Sequence, residues 1–237
     1  MLSRSLLAEV YDAVFIGSGA PRGRDLDLPG RSEAAANIHI GIDWLANVSF
    51  GHIEKIGRRV IVLGGGNTAM DCCRTSRRLG GEDVKVIVRS GFEEMKASRW
   101  EKEDAIHEDI PILNYRVPKA FTHEGGRLTG VLFEVVKAEV DERGRRRLVP
   151  SGEPDEHYEC DDVLVAVGQE NAFPWIEDDI GLEFDEWHMP KVDPATFRST
   201  LPNVFFGGDA AFGPKNIIWA VAHGHEAAVS KIGRAHV

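Results

Sequence analysis

The chain has 237 residues, with 43% hydrophobic and 28% charged residues and a net charge of −10, the composition of a globular protein. An acidic balance with no basic stripe argues against nucleic-acid backbone binding. No apolar run is long enough to span a bilayer, and the start is too short in apolar residues for a signal peptide, so the chain reads as cytoplasmic. Three cysteines without a C-x-x-C pair exclude a disulfide framework, a zinc ribbon and a Cys-ligated iron–sulfur cluster, and no metal site is expected.

Tyr11 to Ile16 is an apolar run stopping at Gly17-Ser18-Gly19, the pattern of a buried strand. An irregular connection through Pro21 and Pro29 follows. Ile38, Ile42, Leu45 and Val48 recur at helical spacing, which predicts a helix over 33–47, then a linker over 50–57. Val60 to Leu63 reads as a strand, Gly64-Gly65-Gly66 as a turn, 67–79 as a helix and Val84 to Val88 as a second strand. This is a βαβ unit of about 30 residues. Ser98 and Glu101 form a capping box that opens a helix to about Glu108. A strand over 112–115 and an antiparallel meander over 119–149 follow. Val163 to Val167 and Val204 to Phe206 are further buried strands, and 216–231 reads as a helix.

Gly64-Gly65-Gly66-Asn67-Thr68-Ala69 fits the fingerprint G-x-G-x-x-G/A between a strand and a helix. The first glycine permits the tight turn and the second lets backbone approach a pyrophosphate. The small Ala69 lets helix pack close to strand, and the helix N-terminus offers N–H groups to phosphate. After the second strand, an acidic residue would favour NAD. Arg89-Ser90 stands there instead, and a guanidinium suits the 2′-phosphate of NADP(H). Arg74, Arg77 and Arg78 lie on the crossover helix as a solvated face, with Arg74 a further candidate for the phosphate.

The order of these motifs, together with the strand ending in Gly168-Gln169 and the run Asn203 to Asp209, resembles flavoprotein pyridine-nucleotide oxidoreductases of the disulfide-reductase superfamily. Val62 to Cys72, Arg89, Met95 to Glu101, Gly144 to Arg147 and Gly208-Asp209 are similar to the glutamate synthase small subunit and its relatives. The resemblance implies an α/β architecture: a Rossmann-like, three-layer NAD(P)-binding domain at 53–167, inserted in a partial FAD-binding domain made of 1–52 and 168–237. It implies hydride transfer from NADPH to FAD, then electron transfer to an iron–sulfur subunit or domain. Cofactor contacts are expected from Gly64 to Ala69, Arg89, Ser90, Gly168 and Gln169 for the nucleotide. For FAD they are expected from Gly17, Ser18, Gly19, Gly208, Asp209 and the helix start at Asn216-Ile217-Ile218. No catalytic side chain is expected, because the cofactors carry the chemistry.

Relatives place a first FAD-binding βαβ unit before the strand that starts here at Tyr11, and ten residues cannot hold it. The chain is therefore expected to be an internal fragment of a longer protein. Its last six residues, from Ile232, match what a common sequencing adapter would encode. Two departures weaken the NADP reading slightly: Ser90 where many relatives have a second arginine, and Lys96 where many have proline. Glu93-Glu94 reads as solvated. His223 and His225 do not share a helix face and read as no metal site. Two alternatives remain open: an NADP(H)-binding module without its own flavin chemistry, or another flavoenzyme of the superfamily, ferredoxin–NADP reductase-like or dihydropyrimidine-dehydrogenase-like.

Overall fold

The computed structural model describes residues 10–141, 143–177 and 179–232. The signal-peptide reading of residues 1–9 and the adapter reading of the tail past Ile232 lie outside them. The chain divides into two units, Gly23–Gly168 and Met1–Arg22 with Gln169–Val237. It passes from one to the other at two short extended segments, β2 (Arg22–Gly23) and β12 (Gln169–Glu170).

The larger unit is built on a five-stranded parallel sheet. Its strands are β3 (Ile38–Ile40), β11 (Asp162–Val165), β4 (Arg59–Leu63), β5 (Asp83–Ile87) and β6 (Ile112–Leu113), in that spatial order. Alternate side chains of β4 feed two separate cores. Val60 and Val62 point to the side of α1 (Gly41–Ser49) and α2 (Asn67–Arg78), among Trp44, Ala69, Met70, Cys72 and Cys73. Ile61 and Leu63 point the other way, among Phe121, Leu128, Val131 and Phe133. Strands buried on both faces read as continuous apolar runs, which is why β4 and β11 stand out in the sequence. A third helix, α3 (Arg99–His107), packs against α2.

The second core is closed by the meander. β7 (Arg116–Glu124) and β8 (Arg127–Val140) form a long hairpin, and β9 (Arg146–Pro150) and β10 (Glu156–Glu159) pair with β8. Helices, parallel sheet and meander make the three layers.

Three expectations are corrected here. Residues 33–47 are not one helix: a 3₁₀ turn (Ala35–Asn37) and β3 precede α1. Ile38–Ile40 pairs in parallel with Val163–Val165, and β-branched Ile38 and Ile40 suit that edge better than a helix. For the same reason, 23–52 belong with the larger unit rather than with a separate piece ending at 52. β3 completes its sheet and Trp44, 2% exposed, fills its core. The capping box does not form. The Ser98 hydroxyl is buried without a partner, and Glu101 turns to Arg74. The Ser98 N–H that Glu101 would have bonded donates instead to Asn67 Oδ1 at 2.9 Å. β10 was not expected, because Glu-His-Tyr-Glu lacks apolar alternation. Only Tyr158 packs inward, edge-on to Phe133.

The smaller unit pairs β1 (Val14–Ile16) in parallel with β13 (Val204–Phe206). Ile16, Val204 and Phe206 pack with Leu182, Ala210 and Ala211 of the same unit. Two helices follow β13: α4 (Asp209–Phe212) and α5 (Ile217–Ile232). Among the described residues no helix is long and apolar enough to cross a membrane.

Two measurements check the larger unit. Asp162, 9% exposed, accepts from the Gly57 N–H at 2.8 Å and Asn37 Nδ2 at 3.3 Å, and contacts His39 Nε2 at 3.2 Å. Asp162→Ala is expected to lower unfolding free energy by about 3 kcal/mol in a urea titration. Cys72, Cys73 and Cys160 are fully buried, and burial pushes all three thiols up, Cys73 and Cys160 to about 12. A thiol reagent at neutral pH should therefore label none of them until the chain unfolds.

Candidate functional site

β4 lies where the strand order reverses: β5 and β6 continue on one side, β11 and β3 on the other. Loops leaving the carboxyl ends of such strands part and leave a crevice. The loop leaving β4 is Gly64-Gly65-Gly66. Gly64 has φ +138, and a Cβ there would lie 2.2 Å from the Ala166 carbonyl oxygen, which follows β11. Only glycine permits this turn so close to the neighbouring chain.

Gly66 is the residue before α2, and a Cβ on it would meet nothing within 4 Å. No side chain caps the helix there, so its first-turn N–H groups face the open space in front of Gly66. Ala69, fully buried, brings α2 down onto the sheet. A strap from α3 covers one flank. The Ala97 N–H donates to the Gly65 carbonyl at 2.9 Å, and Asn67 holds Ser98. Asn67 and Thr68 thus sit in the first turn of α2, Asn67 as a structural tie.

Arg89 follows β5, is exposed, and has no hydrogen bond or ion pair among the described residues. The Ser90 carbonyl accepts from Asn114 Nδ2 at 3.0 Å. The helix arginines are committed elsewhere. Arg74 bonds Glu108 at 2.8 Å and pairs with Glu101 and Asp104, so it is not free for a phosphate as anticipated. The hydrogen bond to Glu108 raises its pKa and fixes its charge. Arg78 bonds Glu108, and Arg77 caps carbonyls at the helix end. Glu94 is not simply solvated, since it pairs with Arg146. Gly168 follows β11 with φ +126 and accepts from the Arg24 N–H, whereas Gln169 begins the other unit.

In the smaller unit, Gly17, Gly19, Gly208, Asp209, Asn216 and Ile217 line one cleft of about 250 Å³; Ser18 and Ile218 do not. Gly208 has φ +61 and ψ −149, a region restricted to glycine. Its N–H donates to His223 Nδ1 at 3.2 Å, and the ring is buried against Phe197, Phe212 and Trp219. Asp209 accepts from the Lys215 N–H at 3.0 Å, and Asn216 from the Trp219 N–H at 3.1 Å, capping α5. The sequence reading missed His223 as the residue that holds this loop. A histidine two turns into a helix that follows a Gly-Gly-Asp turn is the only signal, and it is weak. His225 is exposed, and no cluster of potential metal ligands occurs among the described residues.

The family model described as pyridine nucleotide-disulphide oxidoreductase matches residues 7–224. The beta subunit of NADPH-Fe(3+) oxidoreductase from Geobacter sulfurreducens is 30% identical, over 96% of this chain and 37% of that protein. The small chain of glutamate synthase [NADPH] from Halomonas elongata is 36% identical, over 93% of this chain and 49% of that protein. The chain thus spans less than half the length of these curated relatives. Among solved structures, Mycobacterium tuberculosis FprA in complex with NADPH is similar in fold, with a TM-score of 0.73 at 18% identity, over 97% of this chain and 64% of that one.

Two glycine substitutions should separate turn geometry from open space. Gly64→Ala meets both a left-handed φ and the Ala166 carbonyl, and is expected to cost about 3 kcal/mol or more. Gly66→Ala, with room on every side, should stay close to wild type in the same denaturation assay.

Proposed function

The chain belongs to the pyridine nucleotide-disulphide oxidoreductase family, and from that premise we propose that it is part of an NADPH-dependent flavoprotein oxidoreductase. The observation that carries the reading is the loop of Gly64 to Gly66 at the reversal of strand order, with Arg89, unpaired among the described residues, at the end of the next strand.

The larger unit fits NADP(H). Gly66 leaves the room that a Cβ would fill, so backbone can come against a pyrophosphate. The first turn of α2, at Asn67 and Thr68, directs N–H groups and the positive end of the helix dipole at that charge. Arg89, with Ser90 beside it, is the cation for a 2′-phosphate. The residues of the smaller unit fit part of an FAD site. Gly17, Gly19 and Gly208 put bare backbone on the cleft wall, and Asp209 is a carboxylate suited to accept from a ribityl hydroxyl. The N-terminus of α5, at Asn216 to Ile218, adds a positive dipole end that favours negative charge on a reduced flavin. The chemistry that bound FAD would supply is acceptance of a hydride from NADPH and release of electrons one at a time. No side-chain acid or base is needed for that step; the chain binds, orients and supplies fixed dipoles.

An iron–sulfur subunit or domain is the electron acceptor in this reading, and a role like that of the glutamate synthase small chain is its specific form. The similarity to that chain and to the NADPH-Fe(3+) oxidoreductase subunit supports both. The reading keeps the chain in the cytoplasm, which suits its three free cysteines.

The test is the visible absorption of the full chain mixed with FAD, before and after NADPH under anaerobic conditions. Bound flavin that bleaches with NADPH is the expected result. A colourless chain that still binds NADPH would leave only a nucleotide-binding module. Gly66→Val should weaken NADPH binding while leaving the melting temperature close to wild type.

A further inference from the structure

Beside the end of β5, residues outside the glycine fingerprint meet. Asn114 bonds the Ser90 carbonyl, and the Arg116 N–H donates to the Val88 carbonyl at 3.1 Å. Tyr115, between them, is therefore fixed alongside Arg89. It has φ +61, a strained conformation for such a side chain that persists only where surrounding bonds impose it. Its phenol reaches the next residues after Arg89: a Cβ on Gly91 would lie 2.4 Å from Tyr115 Oη and 2.1 Å from Glu94 Oε2.

Arg146 comes to the same place from the first residue of β9. Its guanidinium contacts Glu94 Oε1 at 2.5 Å and donates to Tyr115 Oη at 3.1 Å, 5.7 Å from the ring centroid. The neighbouring Arg145 and Arg147 turn away to Asp141. Arg146 is thus the arginine of this tip that the meander delivers to the loop after Arg89. A carboxylate on a guanidinium offers the same paired oxygens as a phosphate, with less charge.

We infer that Arg146 is a second arginine for the 2′-phosphate of NADP(H), held beside Arg89 by Tyr115 and Glu94, and that Glu94 yields the guanidinium to the phosphate. This rests on the reading that NADP(H) binds at Gly64 to Ala69. Two consequences are opposite in sign. Removing Arg146 removes a charge-assisted contact made only by the phosphorylated nucleotide. Neutralising Glu94 removes a competitor for that contact and a like charge near the phosphate.

The test is calorimetric titration of the full chain with NADP⁺ and with NAD⁺, for wild type, Arg146→Met and Glu94→Gln. Methionine keeps the aliphatic packing of the arginine stem. Arg146→Met should weaken NADP⁺ binding by about tenfold or more and leave NAD⁺ unchanged. Glu94→Gln should tighten NADP⁺ binding and leave NAD⁺ unchanged. Equal losses for both nucleotides in Arg146→Met, or looser NADP⁺ binding in Glu94→Gln, would mean that the pair only holds the loop, and would overturn the inference. NADP⁺ binding that Arg146→Met leaves intact overturns the role of Arg146 alone. A wild-type chain that binds neither nucleotide overturns the NADP(H) reading itself.

Discussion

The larger unit turns on the approach of Gly64 to the Ala166 carbonyl. With 2.2 Å between a hypothetical Cβ and that oxygen, no side chain fits. The turn therefore stays tight, and α2 starts immediately, with its N-terminus at the crevice between β4 and β11. Buried Ala69 seats the helix, and the strap at Ala97 and Ser98 ties the loop from the far side. The bonds at Ala97 and Ser98 meet the loop and the start of α2 directly after the turn that Gly64 makes.

Charge around this loop is divided between structure and availability. Arg74, Arg77 and Arg78 lie on α2, close in sequence to the fingerprint, yet all are used: two on the acidic face of α3 and one on carbonyls at the helix end. Among the described residues Arg89 has no hydrogen bond or ion pair, whereas Arg146 bonds the Tyr115 hydroxyl and pairs with Glu94, an exposed carboxylate. An exposed ion pair is worth little, commonly under about 1 kcal/mol, so Glu94 can be exchanged for a better anion at small cost. A committed cation such as Arg74, with three carboxylates, cannot.

The smaller unit uses a different device for a similar need. Gly208 is held in a glycine-only conformation from both sides: its N–H donates to an imidazole, and its carbonyl accepts from the Ala211 and Phe212 N–H groups. Aromatic rings pack the imidazole on its other sides, so the loop before Asp209 is fixed by a side chain fifteen residues further on.

Much of this was legible in the sequence. Apolar runs bounded by glycine located β4, β11 and β13, because strands buried on both faces have no other composition available; β1 and β5, each with an exposed residue, were located by the same runs. The glycine turn after β4 was legible because a loop passing so close to the Ala166 carbonyl demands glycine at Gly64. β3 and β10 were not legible: Ile38–Ile40 carries helical spacing, Glu156–Glu159 carries charge, and each becomes a strand only through the edge it pairs with. The Ser98 capping box failed because Asn67 and Arg74, distant in sequence, took its partners. What sequence alone determined was the order of strands, glycine turns and helices and the residue types local geometry requires. That Arg74 and Arg78 are spent on Glu108, what holds Tyr115 and Gly208 in strained conformations, and where the chain divides were decided only by tertiary structure, because each depends on partners distant in sequence that no local pattern encodes.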